Sequence, residues 1–292
     1  METEKLSRCL LCNSPNLVYQ DEAVNLVACT ACGYVFDNPR PTAAAISDYY
    51  SRNDKYDGWL ANESGRALLW RRRLALVKKF VPRGSLLDVG TGIGQFLDCA
   101  KNDFTVSGTE VSQSAIAIAK EKYGILVTRG QIEELNYPEP FDVVTLYHVL
   151  EHVPSPRICL EKVRTLLKDE GVLIVAVPND LFSVRTVLIA LLRMLHVGKF
   201  RYFGRSGIRK LALDGSLSEI HLSHFKPEVL RSFIEKQGFE ILFCGLDPYY
   251  SARGVAGLFH KILYLKCKWF FELTKINFYP TIMVVARKKT KV

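Results

Sequence analysis

Short apolar runs alternate with longer stretches in which apolar residues return every third or fourth position. The runs predict strands near 85–90, 104–109, 125–129, 141–147 and 171–177, and the periodic stretches predict helices near 93–102, 112–122 and 156–168. A helix near 227–237, a strand near 239–246 and a last strand near 281–287 follow a long insertion. Strand–helix alternation at this spacing argues a doubly wound α/β fold, a parallel sheet with helices on both faces. Upstream, a helix is expected from Ala43 through Tyr50, with an aromatic stretch to Trp59. From Arg66 to Phe80, Ala67, Leu68, Trp70, Leu74, Leu76 and Val77 mark an amphipathic helix beside the sheet. Its Arg71-Arg72-Arg73 run reads as a solvated face, with nucleic-acid contact as the sharper alternative.

Where the first core strand should meet its helix, the chain reads Leu86-Leu87-Asp88-Val89-Gly90-Thr91-Gly92-Ile93-Gly94. Glycine at every second residue lets a backbone bend sharply and approach a ligand, since no Cβ intervenes. The spacing is neither G-x-G-x-x-G nor a P-loop, and Asp88 would repel a pyrophosphate while suiting a cationic amino-acid group. About twenty residues on, a second strand ends in Glu110, placed to accept hydrogen bonds from a ribose diol. At these residues the sequence resembles the class I S-adenosylmethionine-dependent methyltransferases, over roughly Leu68 to Val292. The resemblance implies a seven-stranded Rossmann-like sheet ending in an antiparallel hairpin. It also implies cofactor contacts from Asp88, Gly90, Thr91, Gly92, Gly94, Glu110 and Val111. Gln131 and Ile132, after the third strand, would meet the adenine, with Gln131 where the family commonly has an acid. Tyr147 and His148 fall at the carboxyl edge of the fourth strand, where open α/β sheets bind ligands.

The loop His148-Val149-Leu150-Glu151-His152-Val153-Pro154 also matches an inverted zinc-protease pattern, but Pro154 leaves no room for the zinc helix that pattern needs. Leu-Glu-His-Val-Pro instead resembles the loop after strand four in ubiquinone-type O-methyltransferases. Some of that group bind a divalent metal there through acids and histidine, whereas this chain has His148 in place of an acid. A methyl group on a sulfonium is already activated, so the protein must chiefly align the acceptor, with a base added if the acceptor is a hydroxyl. His148, His152 and His224 are the candidate catalytic residues. His224 belongs to a His-x-x-His-Phe-x-Pro element beginning at His221, and each histidine has a purely structural alternative.

Four of the eight cysteines open the chain as Cys9-x-x-Cys12 and Cys29-x-x-Cys32. Paired C-x-x-C turns are a zinc-ribbon signal, and four thiolates close a structural shell with no open position. The strands between the pairs are too short to bury a core, so metal would stabilise the module directly. Disulfides are the alternative, against which stands the polar, charged start of the chain, unlike a secretory signal. The other cysteines sit in apolar patterns as core residues. The domains expected are a ribbon over 1–42, a helical linker over 43–80 and the methyltransferase domain over 81–292.

The charge divides unevenly. Residues 1–180 carry 20 Lys and Arg against 23 Asp and Glu, and residues 181–292 carry 19 against 7. An anionic partner for the C-terminal part is implied. The insertion 181–220 is apolar almost all round in 181–197, then basic and aromatic from Lys199 to Arg205. A second segment, 253–273, mixes Leu, Phe and Trp with lysines. Both suit a membrane interface and a lipid-linked or amphiphilic acceptor, the competing reading being a helical lid with a dimer contact. No apolar run is long enough to span a bilayer, so a cytoplasmic enzyme, peripheral at the inner membrane face, is expected. Its acceptor would be a small saccharide or quinone-like molecule, methylated on oxygen. A zinc-ribbon nucleic-acid binder or RNA methyltransferase is the alternative, weakened by a ribbon whose basic residues are few (Lys5, Arg8, Arg40).

Overall fold

The computed structural model describes residues 1–50, 60, 63–198, 200, 203–212, 214, 219–248, 250 and 254–290. The aromatic stretch to Trp59, together with Lys199, Arg201, Tyr202 and Arg253 of the two basic segments, lies outside the described residues.

The N-terminal module contains strands β1 (Thr3–Glu4), β2 (Leu17–Asp21), β3 (Leu26–Cys29), β4 (Val35–Asp37) and β5 (Arg40–Pro41). Helices α1 (Ala43–Tyr50) and α2 (Glu63–Phe80) lead to the main sheet. There β6 (Gly84–Val89), α3 (Gln95–Ala100), β7 (Phe104–Glu110), α4 (Gln113–Tyr123), β8 (Thr128–Arg129), β9 (Phe141–Tyr147), α5 (Pro156–Leu166) and β10 (Leu167–Pro178) alternate as expected. The insertion carries α6 (Val184–Met194), and the chain closes through β11 (Ser223–His224), α7 (Pro227–Lys236), β12 (Phe239–Gly245), α8 (Gly254–Thr274) and β13 (Thr281–Lys288). The seven-stranded sheet runs β12-β13-β10-β9-β6-β7-β8, with β13 antiparallel to both neighbours and the other pairs parallel.

Two expected elements are shorter than the pattern suggests. The third strand, expected over 125–129, pairs only at Thr128 and Arg129. Gly124 closes α4 in the left-handed region, and the Ile125 N–H is spent on the Ala119 carbonyl, so strand geometry cannot begin until after this cap. The first core helix begins at Gln95 because Gly94 is itself left-handed (φ 78°).

The sheet buries both faces. On one, Leu87, Val144 and Val175 meet α5 and α7. On the other, Leu86, Val143 and Ile174 meet Trp70, Leu74 and Val77 of α2. Arg73 corrects the solvated-face reading of the arginine run: its side chain is fully buried and forks onto Asp247. The cysteine module shares the first core rather than standing apart. Cys9, Val27, Tyr34 and Phe36 pack in one cluster with Leu146, Leu150, Phe225 and Leu230. Its sheet is completed by β11, which adds to β4 through the pairs Ser223↔Phe36 and His224↔Val35. The buried Tyr34 hydroxyl hydrogen-bonds Ser223 Oγ at 2.6 Å. Among the described residues no helix is long and apolar enough to cross a membrane.

Candidate active site

The two C-x-x-C turns bring all four cysteine Sγ atoms within 4.8 Å of one another. Cys9 and Cys32 are 3.5 Å apart and Cys12 and Cys29 3.6 Å, too far for disulfide bonds. A tetrahedral shell at the usual zinc–sulfur distance needs sulfurs about 3.8 Å apart. The set therefore fits zinc with little adjustment. Asn13 (φ 59°) and Gly33 (φ 76°) make the turns that aim the thiols inward. Burial pushes the Cys32 thiol up to about 11, so a cation is needed before four thiolates can share this space.

A cavity of about 240 Å³ opens at the carboxyl ends of β6, β7 and β9. Gly90, Gly92, Glu110, Val111, Gln131, Ile132, Tyr147, His148 and His152 all line it, as does Gly130. The glycine turn is a left-handed bend packed against its own neighbours: Gly90, Gly92 and Gly94 have φ of 64°, 57° and 78°. A Cβ on Gly90 would stand 2.7 Å from Val149, and one on Gly94 3.0 Å from Ala119. Glu110 pins the turn as well as facing the cavity. Its Oε2 accepts the Gly92 N–H at 2.8 Å, and its Oε1 accepts those of Val111 and Ser112 at 2.8 and 3.0 Å.

Asp88, Thr91 and Gly94, expected as direct contacts, do not line the cavity. Asp88 faces the sheet interior, where the Thr145 hydroxyl donates to it at 2.6 Å, and burial pushes its carboxyl up to about 7. The physical reason is strand alternation: Asp88 lies within β6, two residues before the bend, with its side chain in the buried layer.

Other lining residues escaped sequence reasoning. Arg66, Trp70 and Arg73 project from one face of α2, Tyr50 comes from α1, and Glu133 follows Gln131. Trp70, Phe96 and Tyr147 form an aromatic box with centroids 5.1–5.9 Å apart, and the Arg73 guanidinium lies 4.3 Å from the Tyr147 ring centre. The i, i+4, i+7 spacing of Arg66, Trp70 and Arg73 was the available signal, hidden by the assumption that charge faces water.

A second cavity, of about 370 Å³, adjoins the first between the end of β10, the insertion and the cysteine module. Asp180, Arg185, Ile189, Arg209, His221 and His224 line it, together with Asp37 of β4. His148 and Glu219 line both cavities. His148 takes a left-handed backbone (φ 58°), its N–H is held by the Ala176 carbonyl at 2.9 Å, and its Nδ1 lies 3.3 Å from buried Glu151. The three histidine candidates thus divide. His152 borders only the first cavity; burial holds its pKa down, and Nδ1 donates to the Ile220 carbonyl at 2.6 Å. His224 sits between Asp37 (Nε2, 2.9 Å) and Asp180 (Nδ1, 3.5 Å). Burial opposes its charge, but the two carboxylates outweigh burial and raise its pKa to about 9. An imidazolium held at both nitrogens cannot accept a proton, which argues against His224 as a base. His221 is held similarly, 2.8 Å from Asp180, with its pKa raised because the carboxylates again outweigh burial. Glu151, His152 and His221 also present donor atoms within 4.8 Å of one another, a set able to hold a divalent cation.

Residues 61–242 match the family described as the methyltransferase domain. The chain is 30% identical over 133 residues to a ubiquinone biosynthesis O-methyltransferase of Histophilus somni, covering 40% of this chain and 56% of that protein. It is 29% identical over 133 residues to an uncharacterised protein of Methanocaldococcus jannaschii, covering 45% and 60% respectively. The chain thus spans little more than half the length of these relatives. In fold it is similar to a magnesium protoporphyrin IX methyltransferase of Synechocystis with bound S-adenosylhomocysteine (TM-score 0.52, 16% identity, 84% of this chain and 99% of that one). A methyltransferase of Thermotoga maritima gives a TM-score of 0.51 at 20% identity, over 84% of this chain and 100% of that one. With the glycine bend, the acid at the end of β7 and the 3-2-1-4-5-7-6 strand order all in place, and most of the chain matched, this protein belongs to the methyltransferase-domain family.

Proposed function

We propose that this chain is an S-adenosylmethionine-dependent methyltransferase acting on a hydroxyl of a small-molecule or lipid-linked acceptor. The observation that carries this reading is the meeting of two cavities at His148 and Glu219, one lined by the glycine turn and the other by a polar ring. Bound in the first cavity, S-adenosylmethionine supplies an activated methyl on a sulfonium. Glu110 would hold its ribose, Gln131 and Ile132 its adenine, and the guanidinium of Arg73 its carboxylate, all four residues lining this cavity. His148, oriented by Glu151, takes the proton from an acceptor hydroxyl in the second cavity, and its place at the junction allows in-line attack. Histidines and carboxylates around that cavity suit an acceptor rich in hydroxyls, such as a saccharide or quinol-like ring; the relatives named for ubiquinone biosynthesis favour the latter. Cys9, Cys12, Cys29 and Cys32 would hold structural zinc, stabilising the module that meets the acceptor side through Asp37 and β11. Nucleic acid is disfavoured because Arg40, one of the ribbon's few cations, is buried against Glu4 at 2.8 Å.

Titration calorimetry with S-adenosylhomocysteine tests the donor site, and absence of any binding heat overturns the proposal. A screen of phenolic and saccharide acceptors with labelled donor then tests the acceptor class. The Glu151–His152–His221 set supports a second reading, in which a divalent cation held there acidifies the hydroxyl. Mild chelation separates the two: only this second reading expects activity to vanish before zinc leaves and to return with added Mn²⁺.

A further inference from the structure

Of the 20 large hydrophobic residues exposed among the described residues, 16 lie in 182–197 and 255–276. They are not scattered there. On α8, Val255, Leu258, Phe259, Ile262, Leu265, Trp269 and Leu273 recur at three- and four-residue spacing, occupying about a third of the helix circumference. The opposite side packs inward through Leu263, Tyr264, Cys267 and Phe271 against Leu246 and Tyr279. On α6 and its C-cap residue Leu195, Val184, Val187, Leu188, Leu191, Met194 and Leu195 form a second stripe of the same width. The two helices are joined at Phe278, whose tilted ring lies with its centre 4.7 Å from that of Phe182 and 5.2 Å from that of Phe270 and whose carbonyl accepts the Val184 N–H. Exposed Phe182, Val184, Leu273 and Ile276 continue the apolar surface across this joint.

We infer that α6 and α8 dock the protein on an anionic lipid bilayer. The charges around the stripes select that occupant. Lys261, Lys266, Lys268 and Lys275 accompany the α8 stripe against one acid, Glu272, and half-buried or exposed Trp, Phe and Leu beside lysine stems are what an interfacial helix presents to headgroups. A second copy meeting the same face would set lysine rows against lysine rows, which disfavours a symmetric pair. The docking also fits the second cavity. The inner side of α6 supplies Thr186 and Ile189 to its wall, so a docked α6 sets that chamber one helix away from the bilayer. On the proposal that the chamber holds the acceptor, an amphiphilic acceptor would enter from the lipid.

Co-sedimentation of the full chain with phosphatidylcholine vesicles, with and without about 30 mol% phosphatidylglycerol, tests the inference. Binding is expected on the anionic vesicles at low salt, falling steeply by about 0.5 M NaCl, with little on neutral ones. Leu191→Glu with Trp269→Glu should lower partitioning at least about tenfold, and Lys261→Glu with Lys268→Glu at least about fivefold. The lysine pair keeps the test decisive if the apolar variant misfolds, and unchanged S-adenosylhomocysteine affinity identifies a folded variant. No binding of the unaltered chain to anionic vesicles overturns the inference. So does full binding by both variants, or a dimer in light scattering that the apolar variant dissolves while no vesicles are bound. Vesicle binding without cofactor binding would support docking while defeating the methyltransferase proposal, so the two fail separately.

Discussion

Replacing Glu110 by glutamine should damage cofactor binding far more than its isosteric shape suggests. The carboxylate uses both oxygens: Oε2 on the Gly92 N–H at 2.8 Å, Oε1 on those of Val111 and Ser112 at 2.8 and 3.0 Å. An amide offers one oxygen, so either orientation turns an NH₂ group against at least one backbone N–H in a buried site. Losing a hydrogen bond to a charged group costs about 1.5–3 kcal/mol. Part of this is offset in stability, because burial already disfavours the Glu110 charge and holds its pKa up. It is not offset in binding, since the same bond holds the glycine turn and the carboxylate lines the cavity proposed for the cofactor. The expected loss of S-adenosylhomocysteine affinity is therefore about 10- to 150-fold, with a fall in melting temperature of only a few degrees. Calorimetric titration and a thermal melt on Glu110→Gln read both. Affinity within twofold of the unaltered protein would refute the reasoning.

His148→Ala should lower kcat about 10²- to 10⁴-fold while S-adenosylhomocysteine affinity changes little, read by initial rates and calorimetry together. Arg73→Met leaves Asp247 buried without its partner and should cost about 3–5 kcal/mol in denaturant unfolding, much of it recovered in Arg73→Met with Asp247→Leu. The His224 pKa is raised from 6.5 to about 9, so its ion pairs stabilise the fold fully below about pH 6.5 and are lost as pH rises through about 9. Melts between those limits should show a decline worth about 3 kcal/mol, flattened in Asp37→Asn. If the four cysteines hold zinc as proposed, a strong chelator should release about one equivalent per chain and detach the module, read as exposure of Tyr34 and loss of its bond to Ser223 in tyrosine fluorescence.

Much of the scaffold was legible because its determinants are local. Strand and helix periods, the left-handed glycines at 90, 92 and 94 and the two C-x-x-C turns act over a handful of residues, where φ restrictions and burial pattern leave few choices. The acid ending β7 could be placed because strand length and turn position locate it at the sheet edge. The third strand was overestimated because an α4 cap competes for its first backbone N–H.

The amino-acid sequence by itself thus determined the strand and helix pattern of the sheet, the glycine bend that lines the first cavity and the convergence of four thiols, all set by short-range geometry. Only the tertiary structure decided what the charged residues do. Arg73 meets Asp247 across 174 residues and His224 meets Asp37 across 187. Such pairs leave no periodic trace, and their solvation in the fold, not their chemistry alone, makes one histidine an imidazolium clamp and leaves another at the junction of two cavities.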